Sequence, residues 1–431
     1  MNSRSFTARA RIASLAARIA SLAALTLAAV PLIAHAQSAS PAQAGFSAQR
    51  LQRVDQFIDR TIQAGEVSGG VTLIARNGKI VHLQAQGVMD LASKKPMQKD
   101  SIFRLASMTK PVAATALLMM MEEGKVRLSD PVSRFIPSFR DMQVAVPRPP
   151  RVGPPPAAGQ AAPPAFYTVP AEREITVLDL LTHTSGLMSG PNGNAAGNAS
   201  FSKRHDIGLA WVEALSATPL EFQPGTRWAY SPVAGIDLIA RIVEITSGQN
   251  FRDFLQQRLF QPLGMKETFY WPTAAQRARL VTAYVPGPTG LTPNPDPDSM
   301  SGEKYFGGGG GLMSTAESYA RFAMMLANGG ELAGVRILSP ASVALMGSKI
   351  IPDTLPGRQA GESYGLGVRF VNDRAARRTL ISTGSFGWSG AYGTHFWVDP
   401  EKKLVAILML QTPGQPRTGD FETAVMQALL E

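Results

Sequence analysis

The chain has 431 residues, 45% apolar and 17% charged, with no cysteine and a formal net charge of +10. That is ordinary globular composition with material for a large core, and it excludes disulfides, thiol catalysis and a cysteine-borne lipid anchor. The positive charge is scattered rather than gathered into a run, which argues against a nucleic-acid partner.

Arg4, Arg9, Arg11 and Arg18 precede the apolar stretch IASLAALTLAAVPLI (residues 19–33), and Ala34-His35-Ala36 follows. This reads as a signal peptide over residues 1–36, cleaved after Ala36. The apolar stretch is short for a membrane span and is interrupted by Pro31. No Arg-Arg pair marks the twin-arginine route. The expectation is a periplasmic or secreted protein without a stable membrane anchor. Removing four arginines and no acid would lower the net charge to +6.

Residues 37–45 (QSASPAQAG) read as a linker. From Ser47 a helical pattern places Leu51, Val54, Phe57, Ile58 and Ile62 on one face. Two strand-like runs in residues 69–87 flank Asn77-Gly78, a hairpin signal. PVAATALLMMMEE (residues 111–123) is apolar all round and predicts a core helix, stopped by Gly124. Residues 147–170 hold nine prolines and predict a polyproline-like surface loop. Helices are expected over residues 175–187, 231–249 and 314–330, and strands over 366–371, 392–398 and 404–410, before a short tail helix at about 420–430. Residues 46–104 and 305–431 would thus form an α/β part, with the mainly helical residues 105–304 inserted between them.

The pattern Ser-x-x-Lys, a serine nucleophile with a lysine base, occurs three times. Ser301 to Lys304 leads into a glycine run, so no helix fixes that pair, and Ser200 to Lys203 lies between a Gly/Asn-rich loop and a polar surface stretch. Ser107 to Lys110 differs, because Pro111 and the buried helix follow at once. At that helix start Lys110 lies one turn on, on the same face as Ser107. The positive end of the helix dipole also favours an alkoxide there. The competing reading of Ser107 is a plain helix cap. A rival nucleophile elbow, Gly361-Glu362-Ser363-Tyr364-Gly365, comes with Asp373 and His395 in the right chain order. It lacks the strand before it and the helix after it that an elbow requires. The four histidines beyond residue 36 show no metal-ligand spacing, no cofactor is expected, and His183 reads as a turn residue.

FRLASMTKPV, EGKVRLSDPVSRFIPSF, ITVLDLLTHTSGL, PGTRWAYSP, GGGGLMSTAESYARFAMMLANGG and GWSGAYGTHFWVDP, in this order, resemble the serine β-lactamase-related hydrolases. That superfamily holds the class C β-lactamases and penicillin-binding proteins, and the blocks look nearest to its family VIII carboxylesterases. The resemblance runs from about Phe46 to the C-terminus. It implies an α+β fold, an antiparallel sheet flanked by helices, with the active site between the sheet part and an inserted helical region. It implies catalytic Ser107, Lys110 and Tyr230, a third motif at Trp388-Ser389-Gly390 on an edge strand lining the substrate pocket, and an oxyanion hole from the N–H groups of Ser107 and Ala391. Two positions depart from the penicillin-recognising pattern. Pro232 stands where an asparagine would grip an acylamido group, and Trp388 where a lysine would meet a carboxylate. The expectation is a serine hydrolase acting through an acyl-enzyme on small or short-chain esters. The rivals are a weak β-lactamase, D-amino-acid peptidase or linear amidase of the same fold, and a non-catalytic penicillin-binding-like protein.

Overall fold

A computed structural model of the chain describes residues 38–149, 165–414 and 416–430. The expected signal segment and the middle of the proline-rich stretch lie outside these residues. Helix α1 (Ala48–Gln63) starts at Ser47, whose hydroxyl accepts from the Arg50 N–H, and it buries Leu51, Val54, Phe57 and Ile58. Asn77 and Gly78 take φ of 53° and 73°. That left-handed pair makes the two-residue turn joining β1 (Gly69–Arg76) to β2 (Lys79–Asp90).

Six further strands complete the main sheet: β3 (Lys95–Pro96), β4 (Glu362–Tyr364), β5 (Arg369–Val371), β6 (Phe386–Ser389), β7 (His395–Asp399) and β8 (Leu404–Met409). Their order is β4-β5-β6-β7-β8-β1-β2-β3, antiparallel throughout. The fold is the mixed α+β arrangement that the resemblance implies. Early and late segments of the chain meet where β1 pairs with β8, Val71 opposite Met409.

Helices cover both faces. Helix α2 (Thr109–Glu122) is buried along nearly its whole length, as its uniform apolarity predicts. It packs with α4 (Ala234–Ser247) and α5 (Ala316–Ala327) in the larger core, which Phe386, Trp388, Phe396 and Val398 of the sheet enter. On the opposite face Trp397, Leu404 and Leu408 meet α1 and α6 (Pro416–Met426). Strand alternation therefore sends neighbouring side chains of β6 and β7 into different cores. Helix α3 (Pro191–Phe201) lies outside both layers, in the connection between the glycine turn at Gly186 and α4.

Three expectations change in detail. The proline-rich stretch ends in a strand, Phe166–Pro170, paired with Gln143–Pro147. Its Tyr167-Thr168-Val169 centre favours extended backbone, and a two-stranded ribbon tolerates prolines at its ends. The helix expected over residues 175–187 is only Val177–Leu181. Thr176 and Asp179 cap it reciprocally, and His183 at φ 59° ends its course. The strand expected over 366–371 is confined to Arg369–Val371, because Gly367 takes φ 71°.

A buried ionic cluster ties α6 to the β4 edge of the sheet. Arg377 reaches Glu362 (2.7 Å) and Glu422 (3.1 Å), and Arg369 reaches Glu422 (3.5 Å). Burial works against ionisation of Glu422, but His395 and the two guanidinium groups outweigh it and hold its carboxyl at about 2, against an ordinary 4.5. A depressed carboxyl stabilises the fold above the unfolded value and loses that contribution as pH falls through the folded one. Between pH 5 and pH 2 the chain should therefore lose stability through this group. Urea midpoints at the two pH values measure it, and Glu422→Gln should flatten the difference.

Candidate active site

The nucleophile candidate sits on a single 3₁₀ turn, Ala106–Met108, that runs directly into α2. Ala106 takes φ 45°, a sparsely populated conformation for a residue with a Cβ. The turn is pinned from three sides. Thr109 Oγ1 donates to the Ala106 carbonyl (2.8 Å), the Tyr319 hydroxyl to the Met108 carbonyl (2.9 Å), and Thr394 Oγ1 to the Leu105 carbonyl (3.1 Å).

Lys110 is fully buried one turn on, with Nζ 2.9 Å from Ser107 Oγ. The same Nζ donates to the carbonyls of Pro232 (2.7 Å) and Gly309 (2.6 Å). Carbonyl oxygens only accept, so two of the Nζ directions are committed to N–H donation. The remaining direction faces Ser107, and a neutral amine presents its lone pair there. The Tyr230 hydroxyl completes the triangle, 2.8 Å from Ser107 Oγ, with its ring centroid 5.2 Å from Nζ. Tyr230 lies on an irregular stretch before α4, which delays that helix from the expected residue 231 to Ala234 and turns the Pro232 carbonyl onto Lys110.

Sequence reasoning missed Asp237, which lies fully buried in the first turn of α4. Its carboxylate accepts from the Tyr305 hydroxyl (2.6 Å), the Trp211 Nε1–H (3.1 Å) and the Gly309 N–H (2.8 Å). Burial raises its pKa against those hydrogen bonds and the nearby Lys110 charge. Through Gly309 it fixes one of the carbonyls that hold Lys110. An acid at a core position of an apolar helix was the available signal.

The third motif is partly brought to this cluster. The Trp388 ring centroid is 5.7 Å from that of Tyr230, and Trp388 stacks on His183 at 5.8 Å. Trp228 and Tyr364, stacked at 4.3 Å, extend the aromatic wall. Ser389 points the other way: its Oγ is 2.8 Å from His395 Nδ1, and His395 Nε2 is 3.2 Å from Glu422. Its side chain faces the α6 layer, because Trp388 and Ser389 are neighbours on one strand. Gly390 has no side chain to contribute. A Cβ there would collide with the Leu105 carbonyl and the Thr394 hydroxyl, so glycine lets β6 close against the nucleophile turn. Strand β6 is interior rather than an edge, yet β5 pairs only with Phe386 and Gly387. That leaves Trp388 and Ser389 unpaired on the β5 side. The exposed Ala391 follows directly, and its N–H makes no hydrogen bond among the described residues.

The rival serines are placed elsewhere. Ser363 is fully buried on β4 and donates to the Ile351 carbonyl (3.1 Å), while Asp373 caps a short helix through the N–H groups of Ala375 and Ala376. Ser301 donates to the Gly311 carbonyl and Ser200 ends α3, with Lys304 and Lys203 exposed. Among the described residues no cluster of histidine and acidic side chains is arranged to hold a metal.

Residues 54–430 match the protein family described as Beta-lactamase. The chain belongs to that family. It is similar to Protein Rv1367c of Mycobacterium tuberculosis, 34% identical over 82% of this chain and 88% of the relative. Esterase EstB of Burkholderia gladioli is 28% identical over 88% of this chain and 94% of its own length. Among solved structures, EstCE1, described as a hydrolase with promiscuous acyltransferase activity, superposes with a TM-score of 0.73 at 25% identity, covering 89% of this chain and 99% of the other. Within the family the chain is a serine hydrolase lying near the family VIII carboxylesterases.

Proposed function

We propose that the chain is an exported carboxylesterase for small or short-chain esters, working through an acyl-enzyme on Ser107. The observation that carries the substrate class is the uncharged aromatic wall beside Tyr230. Trp388 occupies the position of a carboxylate-binding lysine. Burial and then the Lys110 charge push the adjacent His183 down to about 3, so it adds no charge at working pH. Lys110 itself is enclosed by two carbonyls and Ser107. A neutral ester matches this lining better than an anionic β-lactam.

In the proposed reaction Ser107 Oγ attacks the ester carbonyl carbon and its proton passes to Lys110 Nζ. The carbonyl oxygen gathers charge toward the Ser107 and Ala391 N–H groups. As the C–O bond breaks, Tyr230 Oη gives its proton to the departing alkoxide and recovers one through Lys110. Water then attacks the acyl carbon, losing a proton to the same pair, and as the acyl C–Oγ bond breaks the pair returns that proton to Ser107 Oγ and the acid leaves.

The expected result is kcat/KM for p-nitrophenyl acetate or butyrate at least about tenfold above that for nitrocefin, since a lost charged contact is worth ~1.5–3 kcal/mol. Equal or faster nitrocefin hydrolysis would overturn the ester reading and leave the family membership untouched. For export, intact mass of protein recovered from the periplasm is expected to start at Gln37. Retention of Met1 would refute cleavage.

A further inference from the structure

We infer that a cavity bordered by Pro232 receives the acyl chain of the substrate. This rests on the esterase reading and adds a specificity site to it. The cavity has a volume of about 220 Å³ and is bounded by Met188, Asn194, Asn198, Phe201 and the segment Pro232–Ala234. Pro232 carries a carbonyl that holds Lys110, so one segment borders both the cavity and the catalytic cluster. Its floor is rigid. The Met188 side chain lies against Gly197 of α3, where any Cβ would collide with the sulfur. The Phe201 ring is held edge-on by Trp211 at 5.0 Å, with the Arg204 guanidinium 4.0 Å from it on the outside.

No charged side chain lines the cavity, and the polar lining is two carboxamides one helical turn apart on α3. Neither amide makes a hydrogen bond among the described residues, and Asn198 is exposed at the rim. The volume falls below the ~300 Å³ at which sites for whole drug-sized ligands begin, so it suits one arm of a substrate. With the oxyanion directed at β6 and the leaving group at Tyr230, the remaining substituent of the tetrahedral carbon is the acyl chain. The occupant is an uncharged, unbranched acyl chain of at most about seven carbons, the length such a volume admits at ~30 Å³ for each water-sized unit.

The test compares p-nitrophenyl hexanoate with acetate in the wild type, Asn198→Phe and Asn194→Phe. None of these changes touches Ser107, Lys110 or Tyr230, and Asn198 is exposed, so folding is not at stake there. Each methylene that enters should raise kcat/KM about fourfold, equivalent to ~0.8 kcal/mol. The hexanoate to acetate ratio is expected to exceed about ten and to fall at least fivefold in the variants. A ratio unmoved by both variants overturns the subsite. Inactivation by p-nitrophenyl hexylphosphonate against the methylphosphonate gives the same comparison without ester turnover. Chain preference there, lost in Asn198→Phe, with no ester hydrolysed, keeps the subsite and rejects the esterase reading. Ester hydrolysis without chain preference does the reverse.

A different set of contacts carries a second inference: the geometry points to His183 as a positioning residue for Tyr230. The residue is 2% exposed. Its carbonyl accepts from the Ala229 N–H (3.1 Å) and its Nδ1 from the Ser231 N–H (3.4 Å), so it holds the chain on both sides of Tyr230. Its ring meets the Tyr230 ring edge-to-face at 4.9 Å. Asparagine offers an acceptor near the Nδ1 position and tolerates the left-handed backbone. Glutamine moves its amide outward, and leucine has no acceptor. His183→Leu and His183→Gln are expected to lower kcat at least tenfold with KM within about twofold, and His183→Asn to recover most of it. Equal losses in all three variants, or no loss in His183→Leu, would overturn the role.

Discussion

Ser107→Ala is expected to lower kcat/KM for p-nitrophenyl acetate by about four orders of magnitude or more. Loss of a serine nucleophile leaves only what oxyanion donors and binding contribute, and measured losses of this kind reach ~10⁶. Labelling by a serine-reactive phosphonate should disappear with it. The fold should survive, because Ser107 is only half-buried and its turn is held by Thr109, Tyr319 and Thr394 rather than by its own hydroxyl. Ser363→Ala is the internal control. It removes a hydrogen bond to the Ile351 carbonyl in a fully buried strand, so it should lower stability by about 1 kcal/mol and leave kcat within twofold. A dead Ser363→Ala enzyme beside an active Ser107→Ala enzyme would reverse the assignment of the nucleophile.

Lys110→Met should be nearly as damaging, for a different reason. Methionine keeps most of the volume and apolar length but has no nitrogen to receive the Ser107 proton. General-base contributions of ~10²–10⁴-fold set the expected loss in kcat. The substitution also leaves the Pro232 and Gly309 carbonyls without their donor at a buried position, so a fall in melting temperature should accompany it. Lys110→Arg separates the two effects. A guanidinium can donate to both carbonyls but cannot accept the proton, so stability should recover and activity should not. Recovery of activity with arginine would rule out proton acceptance by Lys110.

Much of this arrangement is legible in the sequence. The uniform apolarity of residues 111–123 marked a buried helix, and a lysine at its start had to be buried with it. Asn77-Gly78 marked the first hairpin through its backbone requirement alone. What stayed hidden depends on contacts between distant segments. Nothing local to Pro232 or Gly309 says that their carbonyls meet at Lys110, 122 and 199 residues away in sequence. Ser389 reads as a site residue because it sits inside a motif, but the alternation of β6 and its pairing with His395 turn it into the opposite layer. His183 reads as a turn residue from its THTSG context, and its left-handed φ agrees with that. Its second use, holding Tyr230, appears only when the 183 and 229–231 segments are set side by side.

The most direct test of the central claim is the mass of the protein quenched in acid during turnover of p-nitrophenyl butyrate, followed by peptide mapping. A single added butyryl group on the peptide containing Ser107, absent from Ser107→Ala, is the predicted result. A butyryl group mapped to any other serine, or steady turnover through Ser107→Ala, would contradict it.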